Sequence, residues 1–276
     1  MIKVVVSGFA GRMGNEVLRA IQASNDIELA GGYDPAVGTK TSTVMLDGTA
    51  IAPAFRDLGE ALESVRPDVV VDFSVPSAVE QNIRTCVGHG IDCVIGTTGL
   101  SSDALEALSA DIPSGTAVFV APNFTTGAVL MMAFAQAAAA YFPDAEVIEL
   151  HHNRKADAPS GTALMTARNI AQAQRRAGVT SGAPGKETEL PGAEGARGAC
   201  IDGVPVHSVR SNGFVASQEV VFGSPGQTLT IRHDSIDRTA YMPGVLLAIR
   251  SVAGLSGLVV GLDQLMDLGF GTVEQA

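Results

Sequence analysis

Lys3-Val4-Val5-Val6-Ser7-Gly8-Phe9-Ala10-Gly11-Arg12-Met13-Gly14 is the stretch that decides the fold. A β-branched run, Lys3 to Val6, ends in a G-x-x-G-x-x-G turn. Helical spacing then runs from Arg12 to Ala23 through Met13, Val17, Leu18 and Ile21. A strand, a glycine turn and a helix in that order make the opening unit of a dinucleotide-binding sheet. The chain must turn sharply, let backbone approach a pyrophosphate, and pack the helix closely on the strand. The helix start then offers its free N–H groups to phosphate. The spacing between the first two glycines is one residue longer than in G-x-G-x-x-G, and a tight strand–helix turn alone would also use these glycines. The second strand, Ile27 to Tyr33, ends at an acid, Asp34. Asp34 is placed to accept from an adenosine ribose. Its alternative is an ordinary turn role before Pro35.

Working outward, strands and helices alternate: strands at 69–73, 92–95 and 116–120, helices at 77–87 and 101–108. Each strand is a near-continuous apolar run, which indicates a parallel sheet covered on both faces. Gly96-Thr97-Thr98-Gly99 and Ala121-Pro122-Asn123-Phe124 follow two of these strands. They fall at carboxyl ends, where open α/β sheets bind ligands. Gly8, Phe9, Ala10, Gly11, Arg12, Met13, Asp34, Gly96, Thr97, Thr98, Ala121, Pro122, Asn123 and Phe124 are therefore the expected cofactor-binding positions.

The pattern changes after Asn123. An Ala- and Met-rich helix (126–141) precedes a strand (146–152) and a helix (162–176). A Gly-, Pro- and Glu-rich loop (181–198) leads to strands at 206–211, 216–222 and 227–234, separated by short polar turns. Those turns suggest an antiparallel sheet. Helical spacing at 240–253 is expected to pack back on the first domain. The expected plan is an α/β Rossmann-like dinucleotide domain, 1–123 with 237–276, and an α+β domain, 124–236.

The 276 residues carry a net charge of −11 with 46% hydrophobic content. That supports a real core and argues against extended nucleic-acid or anionic-membrane binding. No uninterrupted apolar run reaches membrane-span length. The N-terminus reads as a strand and not a signal peptide. Cys86, Cys93 and Cys200 match no zinc or redox spacing, so no metal site is expected. A reduced, cytoplasmic protein is the natural reading.

His151-His152-Asn153-Arg154-Lys155-Ala156-Asp157-Ala158-Pro159-Ser160-Gly161-Thr162-Ala163-Leu164 carries the chemistry. Cations gather beside the free backbone N–H groups of a helix start. This suits a dianionic small molecule that needs a proton delivered near it. Adjacent histidines on a regular strand point to opposite faces, so only one faces a pocket unless the strand ends there. Ser160 is explained by capping alone. Anion binding by Gly161 and Thr162 is the added expectation. Arg154 and Lys155 both have a surface reading, Asp157 receives no role, and Arg210, His207 and His233 receive no chemistry.

These motifs, with Val71-Asp72-Phe73-Ser74-Val75-Pro76, resemble the dihydrodipicolinate (4-hydroxy-tetrahydrodipicolinate) reductase family across both expected domains. The resemblance implies a homotetramer whose second domain holds a mixed sheet, binds substrate and tetramerises. It implies reduction of a cyclic imine-type dicarboxylate by NADH or NADPH in diaminopimelate and lysine biosynthesis. By position, His151 matches the proton donor, Lys155 the second catalytic cation, His152 a substrate contact, and Gly161-Thr162 the carboxylate-binding backbone, with Ser160 beside them. Another imine or amino-acid dehydrogenase on the same architecture, or a non-catalytic dinucleotide sensor, has no need of this whole motif. Many members carry a basic residue after the acid of strand two. Here it is Pro35, while Arg12 could still reach a 2′-phosphate and Lys40 stands too far along. The expectation is use of both cofactors, NADH equal or preferred.

Overall fold

Strand β1 (Ile2–Ser7) runs into helix α1 (Arg12–Gln22) and returns as β2 (Ile27–Tyr33) in this computed structural model. The structure describes residues 1–37, 42–180, 190–193 and 195–268. Lys40 and most of the loop expected at 181–198 lie outside the described residues. The chain divides into two units: Met1–Thr126 with the segment from Arg238, and Gly127–Asp237.

The first unit continues through β3 (Thr43–Leu46), β4 (Thr49–Phe55), α2 (Leu58–Val65), β5 (Val69–Asp72) and α3 (Pro76–Gly88). It goes on with β6 (Asp92–Ile95), α4 (Ser102–Asp111) and β7 (Ala117–Val120). Helix α5 (Thr126–Ala139) opens the second unit, and α7 (Met242–Ser251) and β13 (Gly257–Val260) belong to the first. The sheet order is β13-β7-β6-β5-β1-β2-β4-β3. Every pairing is parallel except β3 with β4. Strand order reverses between β1 and β5, which opens a crevice at the carboxyl ends there. Val5, Val70, Cys93, Ile95 and Val118 are buried in one cluster under Ile83 of α3. Helix α7 packs on α1 and pairs Arg250 with Asp26 at 2.7 Å. Cys86 and Cys93 are core residues, as expected.

Four strands and α-helices of the first unit were not anticipated, nor was the short β9 of the second. Strand β4 is Ala-rich and contains Pro53, which cannot donate to a ladder. It survives because it lies near the sheet edge, meeting β2 only through Gly32–Ala54 and Tyr33–Phe55. Its hairpin partner β3 goes with it. Helix α2 spans 8 residues, too short for a clear period, and starts where Asp57 accepts the Glu60 N–H at 2.8 Å. Strand β13 is an apolar run after α7 that completes the sheet beyond β7.

In the second unit, β8 (Asp144–His151) and α6 (Gly161–Ala177) precede β9 (Ala199–Ile201), β10 (Val204–Arg210), β11 (Ala216–Ser224) and β12 (Gln227–Ser235). The order is β12-β11-β8-β10-β9. The short-turn strands are antiparallel, but β10 lies parallel to β8, because α6 carries the chain across before β10. The sheet is therefore mixed, as the family resemblance implied. The antiparallel arrangement suggested by the short turns holds for β11 with β12, while β10 and β11 flank β8 and do not pair with each other. Ala145, Val147, Val206, Val220 and Phe222 face α6, where Ala163, Ala167 and Ile170 are fully buried. Among the described residues no helix is long and apolar enough to cross a membrane.

Candidate active site

In the first unit the glycine turn is enforced by contact. Gly8 has φ +76°, and a Cβ there would stand 2.5 Å from the Phe73 carbonyl oxygen. A Cβ on Gly14 would meet the Gly8 carbonyl oxygen at 2.2 Å, so α1 sits against the turn with no room for a methyl. The helix is preceded by Gly11 in extended conformation, with no side chain capping its first N–H groups. Such an end is a ready anion site. Ala10, Gly11 and Arg12 are exposed there, and Met13 is half-buried.

Several expected cofactor residues turn inward. Phe9 is buried, and its ring lies close to Gly32. Phe124 is buried against Phe73 and Phe119, with ring centroids 5.8 and 6.1 Å away. Only the backbone of these two can meet a ligand. Thr97 is also buried, and its hydroxyl donates to Asp72 Oδ1 at 2.6 Å. Gly96 donates its N–H to the Asp72 carbonyl at 2.9 Å, while Thr98 is exposed. Ala121 is buried, Pro122 exposed, and Asn123 Oδ1 accepts the Thr125 N–H at 2.8 Å. Asp34 Oδ1 accepts from Ala36 N at 2.9 Å, so part of the turn role is real and one carboxylate oxygen is committed to it. Asp34 also donates its N–H to the Phe55 carbonyl at 3.1 Å, which places exposed Arg56 one residue beyond that contact. Arg56 escaped the sequence reading because β4 did.

The sequence reading assigned no role to Asp72. It is fully buried at the end of β5, at the switch point. Ser7 Oγ and Asn82 Nδ2 donate to one oxygen, each at 2.7 Å. Thr97 Oγ1 and Ser74 Oγ donate to the other at 2.6 and 2.7 Å. One carboxylate thus ties together the carboxyl ends of β1, β5 and β6.

In the second unit β8 ends at His151, and His152 starts the loop, which frees the His152 ring from strand alternation. His151 Nδ1 is hydrogen-bonded to Glu149, two positions earlier on the same strand face. Arg210 makes a fork to Glu149, at 2.9 and 2.7 Å. Burial alone would push the Glu149 carboxyl up, but hydrogen bonds from His151, Arg210 and Ser208 outweigh it and hold it at about 2. An ionised Glu149 only accepts, so His151 Nδ1 carries the hydrogen and Nε2 is the nitrogen left for proton exchange. Lys155 Nζ lies 2.8 Å from Asp157 Oδ1, and its N–H donates to the His152 carbonyl at 3.1 Å. His152 Nδ1 is buried and has no partner among the described residues. Arg154 is exposed.

Ser160 is buried, and its Oγ accepts the Ala163 N–H at 3.2 Å. Its side chain is the cap; Gly161, exposed, and Thr162, half-buried, supply the first-turn N–H groups. Gln218 Nε2 donates to Thr166 Oγ1 at 2.8 Å, and Gln218 is the β11 partner of Glu149. The start of α6 is thereby held at the same end of the sheet as His151. Among the described residues no group of three His, Cys, Asp or Glu side chains could hold a metal ion.

The depressed Glu149 carboxyl has a pH consequence. Its stabilisation is complete above its ordinary 4.5 and is lost as pH falls toward about 2. The stability gap between the protein and Glu149→Gln is expected to shrink by about 3 kcal/mol across that window. Denaturant unfolding at stepped pH measures it, and a constant gap would show that Glu149 is not held in this way.

A parallel sheet of this order, with a glycine-turned helix start at its switch point, is the Rossmann-like architecture of dinucleotide-dependent enzymes. Comparison with known proteins narrows the class. Residues 2–124 match the family model described as dihydrodipicolinate reductase, N-terminus, and residues 127–266 its C-terminus. The 4-hydroxy-tetrahydrodipicolinate reductase of Listeria welshimeri is 46% identical, covering 96% of this chain and 100% of that protein. That of Mycolicibacterium smegmatis is 45% identical, covering 97% and 100%. A dipicolinate-bound dihydrodipicolinate reductase from Paenisporosarcina sp. TG-14 superposes with TM-score 0.81 at 38% identity, over 96% of this chain and 100% of that one. An amine dehydrogenase from Mycobacterium smegmatis, 16% identical with TM-score 0.63 over 97% and 96%, shares the fold alone. The chain belongs to the dihydrodipicolinate reductase family.

Proposed function

We propose that this enzyme reduces 4-hydroxy-tetrahydrodipicolinate, by way of dihydrodipicolinate, to tetrahydrodipicolinate in diaminopimelate and lysine biosynthesis. The observation that carries the reading is the His151–Glu149–Arg210 set beside the α6 N-terminus. Gly161 and Thr162 N–H groups bind one substrate carboxylate, and His152 contacts the substrate. The imidazolium form of His151 gives its Nε2 proton to the reduced substrate and returns to the neutral Nδ1–H ring that Glu149 holds. Lys155 stabilises the negative charge that develops as the ring accepts electrons. The reduced nicotinamide, when bound, supplies the hydride. On the cofactor side, the Gly8 turn and the start of α1 cradle the pyrophosphate, Asp34 accepts from the ribose, and the loops at Gly96–Thr98 and Ala121–Phe124 approach the nicotinamide through backbone. In this reading unit one is the dinucleotide domain and unit two the substrate and tetramerisation domain. The sheet face opposite α6 bears Ile148, Leu150, Val209 and Val221, none fully buried, which supports homotetramer assembly there. The protein works in the cytoplasm. Turnover coupled to a synthase with aspartate semialdehyde and pyruvate tests the reaction; dinucleotide binding without oxidation would overturn it.

The same assay decides coenzyme choice. Asp34 favours a free ribose hydroxyl and repels a 2′-phosphate, and Pro35 offers no cation. Arg12 offsets part of that repulsion. We expect both cofactors to be used, with kcat/KM for NADH equal to or above that for NADPH at fixed ionic strength. A strong NADPH preference would overturn this, and Arg56→Ala beside Arg12→Ala would then identify the cation responsible.

A further inference from the structure

Arg210 lies 61 residues from Glu149, yet two of its four hydrogen bonds reach Glu149 near the end of β8 and a third reaches the loop that follows. Nη1 donates to Glu149 Oε2 at 2.9 Å and to the Val209 carbonyl at 2.8 Å. Nη2 donates to Glu149 Oε1 at 2.7 Å and to the Asp157 carbonyl at 2.7 Å. Nε is buried without a partner among the described residues, so the two terminal nitrogens alone hold the group. The register places Arg210 directly beside His151 in the parallel β8–β10 pair. One guanidinium therefore touches two structures that carry the chemistry. Through Glu149 it reaches His151, whose Nδ1 Glu149 holds. Through the Asp157 main chain it fixes the loop on which Asp157 in turn pairs with Lys155.

We propose that Arg210 is a positioning residue that sets the His151 ring and the Lys155 loop in register with each other. The proposal rests on His151 and Lys155 being the reactive groups assigned above. The physical reason is geometric. A carboxylate with no exposure keeps one orientation only if both its oxygens are engaged, and a planar fork engages them together while leaving hydrogens for a third acceptor. With Arg210 present, Glu149 is pinned, His151 is confined to the Nδ1–H tautomer, and the loop carbonyl is tied to the same plane. Lysine carries the charge but has no fork. It could neutralise Glu149 and still leave the Asp157 carbonyl unheld.

The test is Arg210→Lys, with Glu149→Gln and the double variant, each assayed for turnover, for dinucleotide binding and for the His151 ring nitrogens by NMR. Arg210→Lys is expected to lower kcat roughly tenfold, with the dinucleotide dissociation constant unchanged. The His151 ring signals should move from a single Nδ1–H tautomer to a mixture. Because Arg210 aims His151 only by way of Glu149, the double variant should lose less than the product of the two single losses. Multiplicative losses, or an unmoved His151 tautomer with kcat reduced, would overturn the role. Arg210→Met serves as the stronger variant if it folds, and the lysine variant suffices if it does not. A parent enzyme with no turnover in the coupled assay would overturn the proposed reaction instead. The His151 tautomer in the lysine variant then still reads the positioning role, independently of turnover.

Discussion

His151→Ala is expected to lower kcat by about 10² to 10³-fold while folding and dinucleotide affinity are retained. The ring ends strand β8 with its side chain 14% exposed, so truncation opens space at an end and leaves no hole in the core. What is lost is specific. Glu149 is ionised and accepts at Nδ1, so the removed Nε2 is the group that exchanges a proton with substrate. Water can replace part of that function but is not held in place, which is why the loss belongs to the general-acid range. The positions proposed to bind the dinucleotide all belong to the other unit, and a cofactor titration should give the parent value. Lys155→Ala is expected to reduce kcat in the same direction, by about tenfold or more, through loss of a charge that stabilises the developing anion. Steady-state turnover beside the titration measures both. Near-normal kcat in both variants would remove His151 and Lys155 from the chemistry.

The largest effect on stability is expected at a residue that takes no part in proton transfer. Asp72→Ala should destabilise the protein by about 4 kcal/mol, and thermal unfolding should fall by about 10 °C. Asp72 is fully buried, as is Ser7, and Asn82 and Thr97 are 5% and 8% exposed. Removing the carboxylate leaves Ser7 without its acceptor. It gives Asn82 only the hydroxyls of Ser7 and Ser74 at 3.3 Å, and Thr97 only the main-chain carbonyl of residue 72 at 3.4 Å. A buried donor left without a good acceptor costs about 1–3 kcal/mol. Ser74, half-buried, can turn to water and adds less. Such a loss consumes much of the ~5–15 kcal/mol that stabilises a typical protein. The network also joins the ends of β1, β5 and β6, where the glycine turn and the Gly96 loop begin. Dinucleotide affinity should therefore weaken as well, even at temperatures where the variant is folded. Asp72→Asn keeps the size but brings an NH₂ to face donors, so it should recover only part of the loss. A melting shift below about 3 °C would show that the cluster is not the fastening of this crevice.

Much of this protein was legible in the chain. The alternation of β-branched runs with helical spacing determined the parallel sheet, and the three glycines from Gly8 to Gly14 determined the strand–turn–helix start. The whole His151 to Leu164 motif marked the strand end, loop and helix start on which the proposed chemistry rests. These are local signals, written in residues that are neighbours in sequence. Even the Glu149–His151 pair was within reach, since positions two apart on a strand share a face. It went unused because Glu149 is one of three acids in β8, with Asp144 and Glu146, and only the fold shows that it alone is fully buried. What the short turns could not reveal was the parallel β8–β10 pairing, because that depends on where α6 carries the chain. Arg210 meets Glu149 only through that pairing, and Asp72 meets Ser7 and Thr97 only through the order of the first sheet. Phe9, Thr97 and Phe124 sit in motifs that read as ligand-facing, yet their side chains were claimed by the core and by Asp72. Sequence determined which segments form strands, helices and loops, because propensity and hydrophobic period act over a few residues. Tertiary structure alone decided which distant polar groups meet, because a buried carboxylate takes its partners from whatever strands the topology sets beside it.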